Sequence, residues 1–385
     1  MKPSQRSHIA PFQVMDIFNR ANLLEQQGRA IIHMEAGQPG TPAPRPALEA
    51  ARHALSADTL GYKPLGLVRL RQRIARHYGE FYGLDIAPSR VIVTSGSSAG
   101  FVLSFLALFD GGARIGLGAP YYPAYPNLLR ALDCRPVIIP TDARSAYQLT
   151  AACVLANLRE NGNGKPDGLL VANPANPTGS MLSKTDLEAL VHLCRAQGIP
   201  LISDEIYHGI TYERQAHSAL EFGTDVIVVN SFSKYYSMTG WRIGWLVVPE
   251  HMERTFQRLD QNLYIAAPSV SQFAALAAMD ARSELDGYVA GYARNREFLQ
   301  RVLPKIGLES LAPADGAFYL YADISHITSD SEKFCHRMLD ETGVAATPGT
   351  DFDTGERSAR VRFSYAGQYD EIKEAASRLK KWLAS

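Results

Sequence analysis

The chain has 385 residues, 46% hydrophobic and 20% charged, an ordinary globular balance that excludes a disordered or fibrous chain. At about 150 residues per domain, this length predicts two or three domains. The 39 basic residues equal the 39 acidic ones, and the basic excess usual in nucleic-acid-binding proteins is missing.

The first predicted element is an amphipathic helix from Phe12 to Gln27. This N-terminal stretch carries Asp16 and Glu25 and lacks an apolar core, so it does not read as a secretion signal. The longest apolar run, near Phe101 to Phe109, is too short to span a bilayer, and no membrane partner is expected. Short apolar strands then alternate with helical stretches. The strands are Arg90 to Thr94, Arg114 to Leu117, Pro136 to Ile139, Gly168 to Ala172, Pro200 to Ser203, Asp225 to Asn230 and Ile243 to Val248. Helices are predicted at Ser98 to Phe109, Tyr125 to Leu132 and Lys184 to Gln197. Such alternation predicts an α/β architecture with a mostly parallel sheet flanked by helices. Active sites in these sheets lie beyond the carboxyl ends of the strands.

After Pro268 the pattern changes. A long helix is predicted from Ser269 to Val302, broken near Gly287. A strand at Ala317 to Asp323, a helix at Ser331 to Thr342, a strand at Ser358 to Ser364 and a helix at Tyr369 to Leu383 follow. These read as a smaller α+β domain, against which the N-terminal helix should pack. The expected division is a large domain over 46–275 and a small one built from 1–45 and 276–385. Cys134, Cys153, Cys194 and Cys335 form no CxxC pair and read as reduced thiols of a cytoplasmic protein. The ten histidines form no HExxH motif, so no protein-held metal is expected.

Four motifs follow predicted strands. Ser231-Phe232-Ser233-Lys234 puts a lysine among hydroxyls, where it can form a Schiff base with a carbonyl compound. On its own this lysine reads more readily as a solvated surface residue. Eight residues on, Arg242 in Met238-Thr239-Gly240-Trp241-Arg242-Ile243-Gly244 offers a guanidinium suited to a phosphate-bearing aldehyde. In Ser203-Asp204-Glu205-Ile206-Tyr207, Asp204 suits either a helix cap or the N–H of a pyridinium ring, and Tyr207 could reach that ring's phenolic oxygen. Asn173-Pro174-Ala175-Asn176-Pro177-Thr178-Gly179 dictates a rigid turn that can present the Asn176 amide to a ligand oxygen. Thr94-Ser95-Gly96-Ser97-Ser98 opens an apolar helix, and free N–H groups there favour an anion. It matches neither the dinucleotide nor the P-loop pattern.

These motifs, in this order, resemble the fold-type I pyridoxal-5′-phosphate (PLP) aminotransferases of class I/II, the aspartate aminotransferase superfamily. The likeness runs from Glu35-Ala36-Gly37-Gln38-Pro39 to Val361-Arg362-Phe363-Ser364. It implies a seven-stranded-type sheet and a ping-pong transfer of the amino group from an L-α-amino acid to a 2-oxo acid, expected to be 2-oxoglutarate. It also implies roles. Lys234 resembles the lysine that bonds the cofactor and shuttles protons, and Asp204 the partner of the ring nitrogen. Tyr207 and Asn176 resemble the groups on the phenolic oxygen, and Tyr122 the aromatic residue on the ring face. Ser97, Ser98, Ser231 and Arg242 resemble the phosphate cradle, completed by Tyr62 of a second subunit in a homodimer. Arg362 resembles the fork for the substrate carboxylate, with Gly37 close to it. Arg360 shares its strand face with Arg362, and only the motif separates the two. Ser98 stands where some aspartate-using relatives place a lysine. Tyr264, Phe318 and Tyr319 are candidates to line the substrate pocket or to pack in the core. A carbon–sulfur lyase or related elimination enzyme would keep the same motifs. A non-catalytic sensor fused to a DNA-binding domain is not expected, because the match begins near Gly37.

Overall fold

The computed structural model describes residues 1–160, 164–309, 312–353 and 358–384 and contains twelve strands among them. The first, β1 (Ile32–His33), lies apart from the main sheet. The main sheet holds β2 (Val91–Thr94), β3 (Arg114–Ala119), β4 (Arg135–Pro140), β5 (Gly168–Ala172), β6 (Leu201–Asp204), β7 (Ile227–Ser231) and β8 (Gly244–Val247). Their order is β2-β8-β7-β6-β5-β3-β4. All run parallel except β8, which is antiparallel to both neighbours.

The sequence explains why these strands are central. Their residues are almost continuously apolar, as strands buried on both faces require. Successive side chains point to opposite faces. Val91 and Val93 of β2 join one core cluster and Ile92 the other; Val228 of β7 joins the first, Ile227 and Val229 the second. The helix Gly96–Leu108 packs on the second face, close enough that a Cβ on Gly100 would stand 3.0 Å from Leu246 Cδ2. Only glycine lets this helix, whose first turn belongs to the site, sit so near β8.

The rest of the chain builds smaller sheets. The strands β9 (Tyr319–Asp323), β10 (Val344–Ala345), β11 (Thr347–Pro348) and β12 (Arg360–Ser364) follow the helices. An antiparallel sheet has the order β11-β12-β9. β1 pairs in parallel with β10 and so stitches the N-terminal segment to the C-terminal part. The N-terminal helix is Val14–Gln26 and packs against the helix Ser331–Thr342, with Arg20 Nε 2.9 Å from Asp340 Oδ1.

One expected break moves. The stretch after Pro268 forms the helices Ser269–Ala278 and Arg282–Val302, and Gly287 lies inside the second. An interior glycine costs only about 1 kcal/mol relative to alanine, which an otherwise regular helix tolerates. The chain breaks instead where Arg73 binds it, donating to the Met279 carbonyl at 2.9 Å and to Asp280 Oδ1 at 2.8 Å.

Leu246 is fully buried beneath the helix Gly96–Leu108. Leu246→Ala should lower the unfolding free energy by about 2–5 kcal/mol, read by chemical denaturation.

Candidate active site

The carboxyl ends of β2, β5, β6 and β7 open on one cavity of about 430 Å³. Ser97 and Ser98 line it from beyond β2, Ala172 and Asn176 from β5, Asp204 and Tyr207 from β6, and Ser233 and Lys234 from beyond β7. Arg242, Tyr122, Gly37 and Arg362 complete the set expected from sequence. The parallel strands thus bring motifs from about 330 residues of chain to one place, as open α/β sheets do.

At one end lies a candidate anion cradle. The N-cap residue Ser95 makes no side-chain bond to the first turn of the helix Gly96–Leu108, which leaves amide donors and the positive helix end for a ligand. Gly96 has φ +77°, and a Cβ there would stand 2.5 Å from Arg242 Nη2. Gly244 packs beneath, where a Cβ would meet Asn230 O at 2.8 Å and Gly96 C and Ser97 N at 3.0 Å. Two glycines therefore let the arginine, the helix end and the strand converge.

In the middle, Lys234 is half-buried and its Nζ donates to Gly37 O at 2.5 Å. Burial first, then the Arg362 and Arg242 charges, lowers its pKa to about 8, against the pull of Asp204. Asp204 is buried at the end of β6, and burial raises its pKa to about 6. It accepts a short hydrogen bond from the Tyr125 hydroxyl and one from Ile206 N at 3.1 Å. Tyr122 lines the wall with its ring 5.5 Å from that of Tyr125.

At the other end, Arg362 is the one of the two β12 arginines that lines the cavity. Its Nη1 donates to Asn176 Oδ1 at 2.9 Å, and its Nη2 to Glu35 O at 2.6 Å and Thr347 Oγ1 at 3.0 Å. The guanidinium lies over the rings of Tyr319 at 4.4 Å and Phe352 at 4.9 Å. Its buried Nε has no hydrogen-bond partner among the described residues. Gly37 approaches so closely that a Cβ would lie 3.8 Å from Nη2 and 2.9 Å from the Tyr319 hydroxyl. Arg360 lies outside this cavity, over the Tyr147 ring and 3.9 Å from Asp353.

Other expected residues fall differently. Ser231 is buried behind the wall: its hydroxyl donates to Ile243 O at 3.0 Å and lies 2.9 Å from Ser233 Oγ, and Ser233 lines the cavity in its place. Tyr62 stands outside the cavity and is 77% exposed. Tyr207 lines the cavity with its hydroxyl 2.7 Å from that of Tyr319. Of the three aromatic pocket candidates only Tyr319 lines the wall. Phe318 is buried against Tyr207 and Tyr292, and Tyr264 packs against the second core cluster. Sequence reasoning missed Tyr125, Asp351, Phe352 and the apolar wall of Phe12, Val14, Met15 and Phe18 from the N-terminal segment.

A family profile described as aminotransferase class I and II matches residues 29–379. The chain belongs to this family of enzymes. It is 44% identical over 385 residues to a valine–pyruvate aminotransferase of Mycobacterium tuberculosis, covering 99% of this chain and 98% of the relative. A crystal structure of an aminotransferase from Mycobacterium tuberculosis matches it with a TM-score of 0.96 at 42% identity, over 100% of this chain and 99% of that one. A Thermus thermophilus aspartate aminotransferase solved with maleate matches with a TM-score of 0.92 at 29% identity, over 99% of both chains.

Gly244→Ala should force backbone atoms apart beneath the cradle, at a cost of about 1–3 kcal/mol. Thermal unfolding should show the loss, and calorimetry should show weaker binding of inorganic phosphate than in the unmodified protein.

Proposed function

We propose that this chain is a PLP-dependent aminotransferase that moves the amino group of an apolar L-α-amino acid to a small 2-oxo acid such as pyruvate. The observation that carries this reading is one cavity lined by a half-buried lysine, a buried aspartate and an arginine fork whose Nε has no partner among the described residues. The residues fit the cofactor. Lys234 would bond its aldehyde, Asp204 would accept its ring N–H, and Tyr122 would flank its ring. Tyr207 and Asn176 would approach its phenolic oxygen. Ser97, Ser98, Ser233 and Arg242 would hold its phosphate, with Ser231 fixing Ser233 from behind.

Bound PLP supplies an electron sink for the pair left when the Cα–H bond breaks. The chain's own residues do the rest. Arg362 holds the substrate carboxylate in bidentate fashion and fixes the direction of the Cα–H bond. Lys234 Nζ takes the Cα proton and later delivers one, and a pKa near 8 suits both tasks. Tyr125 and Ile206 N hold the Asp204 carboxylate in place. Donor and acceptor occupy the same cavity in turn, as ping-pong chemistry requires.

Three points favour an apolar donor and pyruvate over 2-oxoglutarate. Among the described residues, the cations lining the cavity are Lys234, Arg242 and Arg362, and each already has a role. Among the described residues, no further cation lines the cavity to meet a distal carboxylate. The apolar wall of Phe12, Val14, Met15, Phe101, Leu128 and Phe352 suits an aliphatic side chain, and a relative at 44% identity is named a valine–pyruvate aminotransferase.

The exposed Tyr62 supports a homodimer in which this tyrosine of one subunit reaches the cradle of the other. The helix Arg45–Ser56 packs against the helix Ser269–Ala278, which supports grouping both with the large domain proposed for 46–275, beside a small domain of 1–45 and 276–385. The four free cysteines support a reducing, cytoplasmic setting. No helix among the described residues is long and apolar enough to cross a membrane.

With valine, alanine, leucine or aspartate as donor and pyruvate or 2-oxoglutarate as acceptor, apolar donors with pyruvate should give the highest kcat/KM and release no ammonia. Preference for aspartate would overturn the donor class, and ammonia release without an acceptor would mark a lyase. Arg362→Lys should raise KM for the amino acid by roughly 10- to 100-fold through loss of the bidentate fork. Uptake of PLP by the unloaded protein needs the neutral Lys234 amine. Its rate should therefore rise with pH through a midpoint near 8, where an unperturbed lysine would place it above 10.

A further inference from the structure

The N-terminal helix begins without a local cap: Gln13, at its N-cap position, makes no side-chain bond to the first turn. Its cap comes from Asp351, more than 330 residues away. Asp351 Oδ1 accepts the Gln13 N–H at 2.7 Å and Oδ2 accepts the Val14 N–H at 2.9 Å. Thr350 Oγ1 donates to Gln13 Oε1 at 2.7 Å, and Asn127 Nδ2 donates to Ala10 O at 3.0 Å. The segment fastened in this way supplies Phe12, Val14, Met15 and Phe18 to the cavity wall. Asp351 is itself buried, and its neighbour Phe352 lies over the Arg362 guanidinium. One short turn, Gly349–Asp351 with Phe352, therefore touches both the carboxylate fork and the wall that faces the substrate side chain.

We infer that Asp351 is a positioning residue for substrate choice: its carboxylate latches the N-terminal helix over the cavity and so sets the preference for larger apolar donors. A helix of thirteen residues is marginal without tertiary support, and a buried carboxylate across its first two amides supplies both a cap and a charge that opposes the helix dipole. Without the latch, the four apolar side chains lose their fixed positions. A small donor side chain loses little contact with that wall; a branched one loses more.

The donor part of this inference rests on the function proposed above, and the latch itself does not. The test uses Asp351→Ala and, from the other side of the same bonds, Gln13→Pro. Proline fits the Gln13 backbone at φ −67° and deletes one latched N–H while leaving Asp351 in place. In the unloaded full-length protein, both variants should speed amide hydrogen exchange across 14–18, while exchange in β5 to β7 stays as in the unmodified protein. In the PLP-loaded enzyme, kcat/KM for valine relative to alanine should fall roughly tenfold, mostly through KM for valine. Asp351→Asn, which keeps one acceptor oxygen, should fall between. Unchanged exchange at 14–18 in both variants would overturn the latch whatever the donor proves to be. Faster exchange with an unaltered valine-to-alanine ratio would overturn its role in substrate choice. Absence of transamination in the unmodified protein would instead overturn the proposed function.

Discussion

The Arg362 guanidinium, buried at the inner end of the cavity, joins parts of the chain that are otherwise far apart. It donates to Asn176 after β5, to the Glu35 carbonyl beyond β1 and to Thr347 of β11, and it lies between the rings of Tyr319 and Phe352. Its hydrogen-bond partners are neutral oxygens, and its Nε has none. Burying a charge costs several kcal/mol unless good partners repay it, so a carboxylate ligand is what this arrangement best accommodates. The same constraint fixes the neighbours. A Cβ on Gly37 would crowd the Tyr319 hydroxyl at 2.9 Å and touch the Arg362 fork. Lys234 donates to the Gly37 carbonyl, and the Arg362 charge helps lower its pKa. The Arg362 guanidinium and the Lys234 amine are therefore one coupled unit.

Much of the fold was legible because its central strands are short, apolar and bounded by turn residues. Gly168–Ala172 and the helices Lys184–Gln197, Ser331–Thr342 and Tyr369–Leu383 form over the residues that their pattern marks. Other strand edges shift by a residue or two, as hydrogen-bond register rather than composition decides them. The helices Arg45–Ser56, Val68–Tyr82, Ala151–Glu160 and Glu253–Leu263 passed unnoticed. Val68–Tyr82 does carry Leu70, Ile74 and Tyr78 at helical spacing, but its four arginines and histidine mask the stripe. The pairing of β1 with β10 joins residues about 310 apart in only two-residue strands, and no local pattern encodes it.

The site was legible where chemistry concentrates on a strand end. Lys234, Asp204, Asn176, Arg242, Ser97, Ser98, Tyr122 and Arg362 meet in one cavity. The misses share a cause: each depends on a partner distant in sequence. Tyr125 matters because its hydroxyl reaches Asp204, and Asp351 because it caps a helix at the other end of the chain. Ser233 replaces Ser231 at the wall because the Ser231 hydroxyl is already bonded to the Ile243 carbonyl. Tyr62 is exposed and does not line this subunit's cavity; its expected place was the cradle of a second subunit.

The most direct test of the account is to load the protein with PLP, reduce it with borohydride and map the modified peptide by mass spectrometry. The account predicts one stable pyridoxyl-phosphate adduct, on Lys234, that is lost when phosphate competes during loading. An adduct spread over surface lysines, or none on Lys234, would contradict the assignment on which the rest of the site depends.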